Sequence, residues 1–505
     1  MNPLASPKCV TRVLMALAAI SGIFLTAGCG SGGGPIVPIG GGFSTSSLNG
    51  QYVIAQTGIG AEQPTVGTGV APFSETIVFT ADGKGNLTVA CDDFDQVGGP
   101  FGGCSLNVAG TYSIASDGTG SMNIGGRNGF NYAITMIDDQ HFYIIEQDLF
   151  ATASGFGEMQ DTTAFTAAPS GTFVFKAHDI DTSSRVGGIT ITAGAISGTE
   201  DLLTLGLLSS SNPITTSAAL TAPDANGSGQ FTLTDGSSFN YYIVNSSKFH
   251  FMSNSSSGSL EIGQAEAQVA PAGGFSPATL PPAASYVFGS SGDTSNPLGI
   301  HSAGVFTTDG AGNIEAGSST VPGAVDYVQD STVNSNLAVS GGSYTLASSG
   351  RGTVNLTLTG GTISPQIFWM VNGTRAYFLA NSTAAVEDGT FSQQTGGPFS
   401  ALTSQAAFVM DGIDVAYKDR VGAFKPAATT FQWNQAANSF DLNLGGVLSA
   451  IGTKGTYQVS SNGRATVTVN NVDNAIVFYL SSANSGFMVQ EDADIGGAFT
   501  VQASQ

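Results

Sequence analysis

Residues Tyr344 to Leu358 read YTLASSGRGTVNLTL, and this stretch decides the fold. Val354, Leu356 and Leu358 alternate with polar residues, the period-two pattern of a half-buried strand. Ser349-Gly-Arg-Gly352 supplies the left-handed backbone conformations that short hairpin loops require, and Gly-Ser-Tyr344 stands just ahead of it. The unit of construction is a hairpin.

The same landmarks return in order along the chain, so it is a tandem array. Each copy opens on a short strand: Tyr52-Val-Ile54, Phe173-Val-Phe175, Tyr286-Val-Phe288 and Phe408-Val-Met410. A lone Phe precedes each opening, at Phe43, Phe165, Phe275 and Phe399. Three copies carry Gly-Thr/Ser-Tyr, at Tyr112, Tyr344 and Tyr457. A Gly turn follows at Asp117-Gly, Asn226-Gly, Ser349-Gly and Asn462-Gly. Next comes an aromatic strand: Phe130-Asn-Tyr132, Phe239-Asn-Tyr241, Phe368-Trp369 and Phe478-Tyr479. The copies close on Gln160, Gln268, Gln394 and Gln502, and the second is the most diverged. This predicts β repeats over 48–162, 163–269, 270–395 and 396–505.

About eight strand candidates joined by short turns suit sequential antiparallel pairing. The expected fold is all-β, with four tandem antiparallel units, each a meander barrel or strongly curled sheet. Immunoglobulin-like sandwiches are the alternative, because spacing does not separate a meander from a Greek key. Joints are short, and the longest, Val269 to Ala283, reads as stiff and extended because it contains Pro271, Pro277, Pro281 and Pro282. The array is therefore expected to be elongated, with each unit able to bury its own core.

Composition narrows the function. Charged residues make up 10% of 505, with 69 Gly and 31 Phe, which fits a packed, exported all-β protein and not a disordered acidic chain. The net charge of −22 excludes a phosphate-backbone binder, so no nucleic-acid partner is expected.

The N-terminus gives an address. Lys8 and Arg12 precede the apolar stretch Val13 to Leu25, which is short for a membrane span but suits a signal peptide. It ends in Leu25-Thr26-Ala27-Gly28-Cys29, which resembles the lipobox of bacterial lipoproteins, with Thr26 where Leu is commonest. That resemblance implies a signal peptide over 1–28, a lipidated Cys29 and a Gly/Ser/Pro tether over 29–47. Each buried acyl CH₂ contributes about 0.8 kcal/mol, so two or three chains hold a protein firmly on a membrane. Gly30 in place of Asp points to the outer membrane or cell surface.

The overall pattern resembles tandem-repeat surface lipoproteins of acidobacteria-like soil bacteria. The resemblance rests on Ala81-Asp-Gly-Lys-Gly-Asn86, Thr308-Asp-Gly-Ala-Gly-Asn313 and Ser349-Gly-Arg-Gly-Thr353. These are turn signatures. They imply architecture and location and no particular activity.

Of four cysteines, Cys9 leaves with the signal peptide and Cys29 carries lipid, so Cys91 and Cys104 are expected to form a disulfide pinning a long hairpin. Asp92, Asp93 and Asp95, the run His178-Asp179-Ile180-Asp181, and Glu491-Asp492-Ala493-Asp494 lack the spacing of a calcium loop and read as solvated turns. His141 and His250 fall in the same strand region of copies one and two; His178 and His301 complete the set. No nucleophile elbow, zinc helix or phosphate loop occurs, and no acidic residue recurs in all four copies. No catalytic, cofactor or metal set is expected.

The function expected is an exported, lipid-anchored, monomeric envelope protein acting as a binding, adhesion or structural spacer module. The alternatives are a carrier of a small apolar ligand inside the barrels and a secreted polymer hydrolase, the latter needing two facing carboxylates in one unit. A transmembrane barrel is disfavoured by the lipobox, the polar Ser/Thr/Asn content and the short self-similar units.

Overall fold

Alternation becomes strand. In Arg351–Leu358, Val354, Leu356 and Leu358 are buried while Asn355 and Thr357 face solvent. The computed structural model describes residues 41–503, apart from 61–70, 97–98, 126–129, 149–150, 180–181, 205–206, 255–259, 295–298, 319–320, 364–365, 381–384, 414–416, 442–444 and 470–475. The signal peptide, Cys29 and residues 29–40 of the tether lie outside the described residues.

Four antiparallel sheets follow one another along the chain, and each strand pairs mainly with its sequence neighbours. In the first, eight strands from Asn49–Gly60 to Ala151–Met159 form a closed barrel, with Tyr52 opposite Met159. The fourth closes in the same way between Ala406–Ile413 and Asp494–Val501. The third has ten strands; Asn313–Glu315 and Gly361–Thr362 are short additions to a closed ring of eight. The meander order sets aside the immunoglobulin-like sandwich.

The second sheet curls without closing. Its seam, between Leu207–Thr215 and Ser228–Thr232, is bridged at Thr216 and Leu233. The missing landmark explains this. Elsewhere the Gly-x-Tyr hydroxyl donates to the carbonyl of a leucine that plugs the barrel end: Tyr112 to Leu48 at 2.6 Å, Tyr344 to Leu280 and Tyr457 to Leu402 at 3.4 Å each. In the second copy the counterpart strand, Leu207–Thr215, is shorter and carries no Gly-x-Tyr, so this anchor is missing among the described residues. The lone phenylalanines are plugs too, since Phe43, Phe275 and Phe399 are buried in the cores of the closed barrels.

The proline-rich joint is therefore not an extended linker. Phe275 and Leu280 within it are buried in the third core, and its 3-10 turn, Pro277–Thr279, caps that barrel.

Nor is the array elongated. The described residues form a single compact unit, and the barrels close into a ring. Val53, Val78 and Cys91 of the first pack on Tyr242 and Val244 of the second. Val174, Val186 and Leu203 meet Trp369, Val371 and Leu379 of the third. Val287, Val305 and Ala324 meet Val477, Tyr479 and Val489 of the fourth. Ala407 and Val421 then return to Ala133, Ile137 and Ile145 of the first.

The closing glutamines repeat this circuit in hydrogen bonds. Gln160 Nε2 donates to the Ile243 and Asn226 carbonyls at 2.6 and 3.2 Å, and Gln268 Nε2 to Met370 and Ser349 at 2.8 and 3.0 Å. Gln394 Nε2 reaches Leu480 and Asn462 at 2.7 and 2.8 Å. Gln502 Nε2 completes the ring on Met136 and Asp117 of the first barrel at 2.7 and 2.9 Å. The recurring turn glycine makes room for the amide. A Cβ on Gly118, Gly350 or Gly463 would lie 2.6, 2.6 or 2.8 Å from the incoming Nε2, and all three adopt positive φ.

Candidate functional site

The ring encloses space. The outward faces of the opening, seventh and closing strands of all four repeats surround a cavity of about 720 Å³. A smaller one of about 160 Å³ is walled by opening strands with second-strand residues such as Ser184, His301 and Asp419, and the two share Lys176, His178, Asp388 and Asp411. All four histidines of the chain line these cavities: His141, His178 and His250 the larger, His178 and His301 the smaller.

Strand register gives each wall position a counterpart in every repeat. Three residues beyond Tyr52, Phe173, Tyr286 and Phe408 stand Ala55, Lys176, Gly289 and Asp411. No functional group recurs among these four, although the framework around them repeats. The wall is specified once per ring.

Three ion clusters dominate it. Glu158 accepts from Lys248 Nζ and His250 Nε2, each at 2.7 Å; burial would raise its pKa, but the Lys248 charge and the His250 hydrogen bond hold it at about 2. The His141 ring is held protonated above its ordinary range by Asp138 at 2.9 Å, and it stacks on Phe156 at 5.9 Å. Lys248 Nζ lies 5.7 Å from the same ring. Glu266 takes a bidentate pair from Arg375 at 2.7 and 2.9 Å and a hydrogen bond from the Tyr377 hydroxyl. Asp388 binds Lys176 Nζ at 2.8 Å and Ser184 at 3.3 Å; burial opposes its ionisation, yet Lys176 keeps it below the ordinary carboxylate range.

The fourth repeat adds two acids of another kind. Burial pushes Asp411 up to about 6 and Asp419 up to about 8, with the Thr152 hydroxyl donating to Asp419. Burial also pushes His301 down to about 4, and its Nδ1 has no partner among the described residues.

The residues singled out in the sequence are placed as follows. Cys91 and Cys104 are cross-strand partners joined by a disulfide, on the face of the first barrel that meets the second. With Asp224 they make the one metal-sized cluster among the described residues, but the disulfide engages both sulfurs. The reading of Asp92, Asp93 and Asp95 as a solvated turn is overturned: all three are buried. Asp93 accepts from the Tyr242 hydroxyl and from Asn240 Nδ2 at 2.9 Å across the ring, and burial lifts Asp95 to about 7. Asp494 is buried as well and accepts the Ser331 amide at 2.8 Å, while Glu491 lies 3.4 Å from Arg464. Ile180 and Asp181 lie outside the described residues. The Asp-Gly-x-Gly-Asn segments are turns in which Asp82 and Asp309 accept their own loop amides.

The histidines were visible in the sequence, but their convergence was not. The one signal was their scarcity in a chain so poor in charge.

The fold and site define a closed ring of one open and three closed meander barrels around two adjoining cavities of mixed polar and apolar lining. No protein-family model matches the chain, and no curated protein matches it. Among solved structures, intact Ap-TbpB (N and C lobes) aligns over 90% of this chain and 77% of that one, at 7% identity and a TM-score of 0.15. That superposition is too loose to inform fold or function.

Proposed function

We propose that this chain is an exported, lipid-anchored binding protein of the bacterial envelope, at the outer membrane or cell surface, whose ligand occupies the cavity at the centre of the ring. One observation carries the reading. Residues that recur between repeats build barrels and ring, whereas those facing the cavity are individual, and all four histidines are among them. A volume of about 720 Å³ suits a small molecule. Hydroxyls and amides such as Ser154, Ser291, Thr390 and Gln264 line it between the paired ions, and Tyr143, Phe156 and Phe487 add apolar surface, so the ligand carries both polar groups and an apolar face. Filled cores in the closed barrels favour this over a carrier of apolar ligands inside them, and the compact ring favours it over an extended spacer.

The reading is binding without catalysis, by a monomer that touches the membrane only through its anchor. Asp411 and Asp419 favour a second reading, since both lie in one repeat and Asp419, pushed up to about 8, holds its proton at neutrality as a general acid of a hydrolase does, while Asp411, at about 6, is mostly ionised there.

One panel separates the two. Thermal shift with neutral sugars, amino acids and dicarboxylates is expected to find a class that raises the melting temperature by a few degrees. Ser291→Trp, which adds bulk to the wall common to both cavities without removing a member of any ion pair, should abolish that rise. No shift with any class would overturn the binding site. Turnover of chromogenic glycosides or esters that is lost in Asp419→Asn would replace binding with hydrolysis.

The anchor has its own check. Cys29→Ser is expected to move the protein from the detergent phase to the aqueous phase, and a variant still wholly membrane-bound would refute lipidation at Cys29.

A further inference from the structure

The four junctions of the ring are built on one plan, and one of them is incomplete. Register aligns Thr135, Tyr242, Trp369 and Tyr479, each paired across its hairpin with the residue after the turn glycine: Thr119, Ser228, Arg351 and Arg464. Each position faces the preceding barrel in the ring, where the counterpart residues are Asn438, Asp93, Asp201 and Asp326.

At three junctions an aromatic ring fills the gap and its polar tip meets the acid. The Tyr242 hydroxyl donates to Asp93. Trp369 Nε1 donates to Asp201 at 3.0 Å, beside Arg351 at 2.7 and 2.9 Å. The Tyr479 hydroxyl donates to Asp326, beside Arg464 Nε at 2.7 Å.

The closing junction, between the fourth and first barrels, has neither partner. Thr135 replaces the aromatic residue and is fully buried, with no hydrogen-bond partner for its Oγ1 among the described residues. Asn438 replaces the acid; its Nδ2 turns to the Glu146 and Ala151 carbonyls at 2.9 and 2.7 Å, and its Oδ1 has no partner among the described residues. In the space left over lies a cavity of about 230 Å³, walled by Ala133, Thr135, Val421 and Ala436 and reached past the exposed Ser113 and Ser121. An apolar cavity of about 150 Å³ is enough to take up benzene.

We infer that the cavity at the closing junction binds one small planar aromatic molecule of the phenol or indole class, whose ring takes the place held by Tyr242, Trp369 and Tyr479 at the other junctions and whose polar group meets Thr135. The inference stands apart from the central cavity, which shares no wall residue with this one.

The test is thermal shift of the full mature protein with phenol and with indole, using cyclohexanol as the non-aromatic control. Phenol or indole should raise the melting temperature by a few degrees in a concentration-dependent way, and cyclohexanol should not. Thr135→Tyr supplies the ring from within, so it should melt higher than the parent and lose the response. Should Thr135→Tyr not fold, Ala436→Leu blocks the same space from the opposite wall and should also lose it. Crystals soaked in 4-bromophenol should show a bromine peak between Thr135 and Ala436. No shift with either aromatic, an equal shift with cyclohexanol, a shift that survives the blocking variants, or a bromine peak only elsewhere would each overturn the inference.

Discussion

Asp201→Ala is expected to destabilise the whole ring by about 2–4 kcal/mol, less than for a fully buried charge pair because its partner Arg351 is a quarter exposed. Asp201 is fully buried in the second barrel and faces the third. Its carboxylate accepts from Arg351 Nε and Nη2 at 2.9 and 2.7 Å, from Trp369 Nε1 at 3.0 Å and from the Ser211 amide at 3.1 Å. Truncation strands a guanidinium and an indole N–H at a junction otherwise made of Val174, Val186, Leu203 and Val371. Urea unfolding of Asp201→Ala, Arg351→Met and the double variant measures the coupling between them. The double variant should recover part of the loss, because it no longer buries an unpaired charge. A single-variant loss below about 1 kcal/mol would mean that this junction does not hold the ring together.

That junction shows where sequence reading succeeds and where it stops. Period two, turn glycines and ordered landmarks were enough for four antiparallel units, because those signals act within a few residues of themselves. The glutamines and lone phenylalanines were legible as landmarks but not as devices. Gln502 meets its carbonyls in the first barrel, and nothing local to Gln502 points there. Val269 to Ala283 was misread for a related reason: its prolines are local and visible, while the docking of Phe275 and Leu280 into the third core is tertiary. The aromatic strand of the first copy is also displaced by two residues from its apparent match. Register sets Ile134, not Tyr132, level with Tyr241, Phe368 and Phe478. The cavity walls were the least legible of all. Ala55, Lys176, Gly289 and Asp411 become neighbours of one space only after the ring closes, and because they differ, comparing the repeats with one another discards them.

Stability is expected to be greatest in mild acid and to fall as the pH rises toward 8. Burial raises Asp95 and Glu261 to about 7, Asp411 to about 6 and Asp419 to about 8. In the unfolded chain these groups ionise near their ordinary values, while in the native protein they keep their protons. Between about pH 4 and 8 the native state therefore binds more protons than the unfolded state, so each rise in pH favours unfolding until the native groups also ionise. The acid side has the opposite sign. Glu158, held at about 2, and Asp388, held below its ordinary range, contribute stability that is lost as the pH falls below about 4.5. The two limbs place the optimum near pH 5. Asp419 has the largest upward displacement of the four, is 6% exposed and accepts its hydrogen bond from Thr152. Its share of the alkaline limb is several kcal/mol at most, by the rule of about 1.4 kcal/mol per pKa unit. Melting temperatures measured from pH 4.5 to 8.5 should drop by several degrees over the upper half of that range. Asp419→Asn, which keeps an acceptor for Thr152 and cannot ionise, should match the parent near pH 5, exceed it at pH 8 and flatten the slope. A parent melting temperature that stays level or rises from pH 5 to 8 would remove these carboxyls as the source of the pH dependence. An unchanged slope in Asp419→Asn would move that role to Asp95, Glu261 and Asp411. The same titration acts on the cavities, because Asp411 lines both and Asp419 lines the smaller. As they lose their protons the fourth-barrel side of the wall, which also carries Lys418, gains up to two negative charges, so a ligand bound there should change affinity over the same pH interval in which the protein loses stability.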